Sequence, residues 1–157
     1  MRMHYPSYTF FNEPNTTEYH FESIGSNGII HKIVVFSEAV PHLFIFNLGL
    51  ADLDSKTGEM SDMTVSNNGD THKILATIFQ ITVDYCQKNP NHLIAFEGTN
   101  LARNRLYRMA INHAFDDISE YFLLYGFSEN IWEKFEKNKD YEIFWLKENN
   151  DLNSLKK

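Results

Sequence analysis

The sequence predicts an α+β protein: an antiparallel meander of about four strands, then helix-strand-helix and further short strands, with one packed layer of helices on the sheet. Three observations carry this. β-branched and aromatic runs separated by turn signals fill the first 65 residues, the apolar period becomes helical near residue 70, and shorter apolar runs return after it.

The runs "YHFESI" (19–24) and "GIIHKIVVF" (28–36) flank "GSN", whose residues tolerate the backbone angles of a tight turn, so a hairpin is expected. "HLFIFNLGLADLD" (42–54) then turns at "SKTG" (55–58) into "EMSDMTV" (59–65). From Asp70 to Lys88, Ile74, Ile78, Ile81 and Tyr85 share one helical face with Leu75, Phe79 and Cys86 beside it. Lys73, Thr77, Gln80, Asp84 and Gln87 form the opposite stripe, which predicts an amphipathic helix with Asp70 as N-cap and "KNPN" as its stop. "HLIAFE" (92–97) reads as a short buried strand, and Gly98-Thr99 turns it into a second helix ending near Phe115. "EYFLLYGF" (120–127) reads as a strand, Ser128 as the cap of a short helix carrying Trp132 and Phe135, and "YEIFWLK" (141–147) as the final strand. One domain over 1–147 and a flexible polar tail over 148–157 complete the reading.

A chain of 157 residues buries a sizeable core without disulfides or a structural metal. The single cysteine, Cys86, excludes an internal disulfide, lies on the apolar side of its helix and fits a reducing cytoplasm. The N-terminal stretch lacks the apolar run of a signal peptide and "LFIFNLGLA" (43–51) is short, so no membrane association is expected. A net charge of −7 opposes nonspecific nucleic-acid binding. Only residues 71–115 are net positive, at +3.

Most catalytic and metal signatures are absent. "DLDSKTGEMSDM" puts Asp52 and Asp54 at the first and third positions of a calcium loop, but Lys56 and Met63 fall where ligands are required. Seven scattered histidines show no spacing that aims two imidazoles at one zinc, so neither a metal nor a cofactor is expected. Phosphate-binding glycine loops are missing too.

What remains is "EGTNLARNRLYRMAINHAF" (97–115), which holds three of the four arginines, Arg103, Arg105 and Arg108. Guanidinium offers a planar fork for carboxylate or phosphate that lysine lacks. Gly98 and Thr99 at the helix start, with free N–H groups and the helix dipole, form a candidate anion site with Arg103 and Arg105, with Arg108 in support and Tyr107 as a candidate acid/base. The competing reading pairs these arginines internally with the acidic 51–70 segment.

The blocks "FESIGSNGIIHKIVVF", "SNNGDTHKILAT" and "EGTNLARNRLYRMAI" resemble those of a family of short uncharacterised bacterial proteins, common in Bacteroidota and known only as a domain of unknown function. The resemblance spans roughly residues 19 to 147 and marks Asn67, Asn68, Gly69, Asp70, Gly98, Thr99, Arg103, Arg105, Leu106 and Tyr107. It implies a bacterial cytoplasmic protein and brings no activity.

Two functional readings stand side by side. In the first, the chain is a binding protein that meets itself or a protein partner, because a domain of this size has limited interior for a 15% aromatic content and some rings must surface. In the second, it recognises a phosphate-containing ligand, as a small toxin-like ribonuclease or transferase would, and a toxin–antitoxin pairing becomes relevant.

Overall fold

In a computed structural model of the chain, residues 6–53, 57, 60–61, 68–97 and 101–148 are described. Among the described residues nine strands and two helices follow in the order β1 (Phe11–Asn12), β2 (Glu18–Gly25), β3 (Gly28–Val40), β4 (Ile45–Leu53), β5 (Met60–Ser61), α1 (Thr71–Lys88), β6 (Leu93–Phe96), α2 (Leu101–Ser119), β7 (Phe122–Ser128), β8 (Ile131–Lys134) and β9 (Ile143–Glu148). The class is α+β. All strands join one sheet ordered β1-β2-β3-β4-β6-β9-β7-β8, with β5 pairing β4 beside β6.

The predicted hairpin forms at residues 25–28 with Gly25 opposite Gly28, and β3 and β4 pair from His31↔Leu53 to Val40↔Ile45. Of the predicted strand over 59–65, Met60 and Ser61 pair with β4, and residues 62–65 lie outside the described residues. Three features depart from expectation. β1 adds an edge strand. β6 runs parallel to β4, so the chain crosses over through α1 and leaves a purely antiparallel meander. Residues 125–134 form a hairpin in which Phe127 faces Trp132; Ser128 caps no helix. The turn takes positive φ at Glu129 and Asn130, the geometry of a tight hairpin loop, and alternating apolar residues satisfy a strand as readily as a short helix.

Strand alternation divides the sheet into two faces. Tyr19, Phe21, Val34, Phe36, Leu48, Ile94, Phe96, Phe122, Leu124, Phe144 and Leu146 point inward and are buried with both helices in one core. Phe36 stacks on Tyr85 of α1 at 4.0 Å, and Phe96 meets Phe79 of α1 at 6.2 Å and Tyr107 of α2 at 6.1 Å. Among the described residues both helices lie on this inner face.

α1 is buried more widely than its two-faced pattern implies. Thr77, assigned to the solvent stripe, is fully buried: its hydroxyl donates to the Lys73 carbonyl and accepts the Tyr8 N–H at 2.8 Å. The N-terminal segment thus runs along the flank expected to face water. Cys86 is 1% exposed, and burial pushes its thiol up to about 12. The native protein is therefore expected to resist a thiol-titrating disulfide reagent at pH 8 and to react with one equivalent only in denaturant. Rapid native labelling would contradict this packing.

Candidate functional site

Asn68 and Asp70, joined through Ser23, form a buried polar cluster beside the β2–β3 turn. Asn68 is 3% exposed. Its amide donates to the Gly28 carbonyl and the Ser23 hydroxyl, both at 3.0 Å, and its side-chain oxygen accepts the Asn27 N–H at 2.6 Å. Its backbone carbonyl accepts the Ser26 N–H at 3.3 Å. One asparagine thereby satisfies much of the β2–β3 turn.

Asp70 precedes α1 as predicted, but its carboxylate makes no cap bond. Instead Oδ2 accepts the hydroxyls of Ser23 and Tyr8, each at 2.5 Å, while Oδ1 is buried without a hydrogen-bond partner among the described residues. Burial and the Asp70 carboxylate push the Tyr8 hydroxyl above its ordinary value. These contacts fasten the start of α1 to the hairpin and the N-terminal segment. Asn67 lies outside the described residues.

The arginine helix is more dispersed. Gly98 and Thr99 lie outside the described residues, as does the side chain of Arg103. Arg105 is exposed, whereas Tyr107 is 5% exposed within the core. Arg108 pairs with Asp140 at 2.7 Å, so its carboxylate comes from the segment before β9. That carboxylate is 86% exposed, and an ion pair so open to water contributes little, about 0–1 kcal/mol.

Away from the helices, the outer face of the sheet carries two further groups of side chains. At the β9-β7-β8 end, cross-strand pairing places Tyr125, Phe127, Trp132, Ile143 and Trp145 together. Trp132 lies 3.9 Å from Trp145 and 4.9 Å from Phe127 between ring centroids. Lys134 and Lys147 flank the rings in the same register. Tyr125 is 40% exposed and Trp132 38%, a concentration of ring surface facing solvent.

At the opposite end, β1 and β2 present Phe11, His20 and two glutamates. The β1–β2 register continues through the Glu13 N–H to the Glu18 carbonyl at 3.0 Å, which sets Glu13 opposite Glu18 two pairs beyond Phe11↔His20, on the same face of the sheet. His20 Nε2 stands 3.7 Å from Glu13 and 3.6 Å from Glu18, and its Nδ1 meets His31 Nε2 at 2.8 Å. Phe11 stacks on His20 at 5.0 Å. An open cleft of about 390 Å³ lies beside them, lined by Tyr8, Phe11, His20, Glu22, Ile24 and His31 among others. A search for histidine repeats along the chain passes over this group because its members converge through strand pairing. The visible signal was a short turn, "EPNTTE", with a histidine two residues on.

A family profile matches residues 4–149. The chain belongs to DUF6934. This is a family of unknown function, in keeping with the resemblance in the sequence, and the match covers the Asn68–Asp70 cluster, the arginine helix and both ends of the outer face. No curated protein and no solved structure matches the chain. Among the described residues, no helix is long and apolar enough to cross a membrane.

Proposed function

We propose that this DUF6934 chain is a cytoplasmic binding protein that associates with a second copy of itself through the β9-β7-β8 end of its outer face. The Phe127–Trp132–Trp145 cluster carries the reading: three large rings gather where no described helix covers them. Aromatic side chains are enriched at interface cores, where they bury much apolar area at little entropic cost. Among the described residues β8 is the last strand of the sheet, and its outer edge can pair antiparallel with that of a second copy about a two-fold axis. The buried, lone Cys86 supports the reducing compartment. The alternative, a phosphate-containing ligand held by Gly98, Thr99, Arg103 and Arg105, is favoured by one observation, the exposure of Arg105.

Sedimentation of the pure protein at micromolar concentration tests the proposal. The parent is expected to sediment as a dimer. Trp132→Ala should weaken dimerisation by about 2 kcal/mol, roughly 30-fold, as truncation of a buried interface aromatic does. A parent that remains monomeric at tens of micromolar would leave the rings to a different partner and overturn self-association.

A further inference from the structure

We propose that Glu13, Glu18 and His20 bind one divalent transition-metal ion, with His31 as the residue that positions His20. The donor atoms of the three lie within 4.8 Å of one another. Two of them come from a pairing that strand energetics disfavours, since like charges directly opposite in a hairpin repel. Among the described residues no lysine or arginine is paired with either glutamate; the side chain between them is His20.

The hairpin is held in this arrangement by its own turn. Thr16 N–H and its hydroxyl both donate to the Glu13 carbonyl, the Glu18 N–H donates to the Thr16 hydroxyl, and the Asn12 amide reaches the carbonyls of Thr16 and Glu18. These bonds fix the backbone of both glutamates, so the two side chains start from one face of the hairpin.

His20 is oriented as a metal-bound imidazole is. A ligating histidine commonly donates its second ring N–H to a fixed acceptor, which sets the tautomer and ring plane. Here Nδ1 meets His31 Nε2 at 2.8 Å and the ring stacks on Phe11. With Nδ1–H as donor, Nε2 keeps its lone pair and stands near both carboxylates, so three electron-pair donors lie together. With the reverse tautomer an Nε2–H would seek a carboxylate, yet 3.6 and 3.7 Å exceed a hydrogen bond. Those separations suit an intervening ion. At usual bond lengths of about 2.1 Å, a nitrogen and an oxygen so spaced subtend about 120° at the metal, the trigonal value.

One imidazole with two carboxylates suits zinc, iron or manganese better than calcium, which takes six or more oxygens. His20 is 13% exposed, while Glu13 and Glu18 are 49% and 36% exposed, so water can complete the coordination.

Calorimetric titration of the full, chelator-treated chain with zinc chloride tests this, alongside melting with and without zinc. One ion per chain is expected to bind to this site, and Glu13→Gln with Glu18→Gln should weaken that event by more than tenfold. His31→Gln should weaken it about 10–100-fold, as loss of an orienting partner does. Without zinc the double glutamine variant should melt at or above the parent, because the opposed charges are gone. Glu142→Gln, outside the site, should bind like the parent. A parent that binds no zinc up to millimolar concentration overturns the proposal, as does a double variant with parental affinity. So does a double variant that melts lower without zinc, the mark of a protonated His20 merely paired with carboxylates. Calcium binding as tight as zinc overturns the choice of ion.

Discussion

Gly25→Ala is expected to lower stability by at least ~3 kcal/mol, a drop in melting temperature of roughly 6–12 °C for a chain of this size. A Cβ at this position would lie 1.8 Å from the Asn68 carbonyl oxygen and 2.9 Å from both its carbonyl carbon and side-chain Cγ. Two of these atoms are backbone, so no rotamer change relieves the clash. Asn68 cannot yield without loss, because its side chain holds Gly28, Ser23 and Asn27 and its carbonyl holds Ser26. Each such bond contributes about 1 kcal/mol, and a buried group left unpaired costs more. Gly49→Ala is the matched control. A Cβ there meets only the Val35 carbonyl at an ordinary 3.7 Å, and the change should shift melting little. Equal melting of the two variants would mean that the turn does not approach Asn68 as closely as described.

That contact also shows what the sequence could and could not reveal. "GSNG" and "SNNGD" each read as turns from residue type alone; the first is one, and of the second residues 68–70 are described, with Gly69 at positive φ. Nothing local tells that the two turns meet, because the side chains that join them are separated by 45 residues between Ser23 and Asn68. Asp70 shows the limit most sharply. Its place before a helical run predicts an N-cap, and the helix does begin there, yet the carboxylate turns to the hydroxyls of Ser23 and Tyr8. Two tertiary donors prevail over one local N–H.

Long periodic segments were legible because period reports local geometry: the β2–β3 hairpin, α1 and β6 lie close to their predicted spans. Sheet order was not. The parallel β4–β6 pairing depends on how α1 packs, and Trp132 sits in a run too short for its period to separate strand from helix. Aromatic content predicted surface rings but could not say which ones. The three rings of the outer face come from two sequence regions, Phe127 and Trp132 across one hairpin and Trp145 on the neighbouring strand. The arginine cluster stood out by residue type, yet a shared sequence window gave Arg105 and Arg108 different surroundings.

Lys32→Met is expected to cost ~3–5 kcal/mol, the penalty for leaving one partner of a buried ion pair uncompensated. Lys32 occupies an inward position of β3, opposite Phe21 on β2 and Asp52 on β4, on the face that carries the apolar core. Its side chain is 4% exposed, that of Asp52 is 15% exposed, and the two meet at 2.5 Å. Methionine keeps much of the lysine stem's shape and removes the charge, so the Asp52 carboxylate loses its cation in a poorly hydrated place. Adding Asp52→Leu should recover most of the loss, because an apolar pair of similar volume is often as stable as the ion pair it replaces. The difference identifies the cause: a packing defect would persist in the double variant, whereas an orphaned charge would not. Burial also predicts that the single-variant loss changes little with added salt, unlike that of an exposed pair. Urea unfolding of the parent, both single variants and the double variant measures all of this. If Lys32→Met falls within ~1 kcal/mol of the parent, the range of an exposed pair, then Asp52 is stabilised without this lysine and the buried ion pair does not hold β3 to β4.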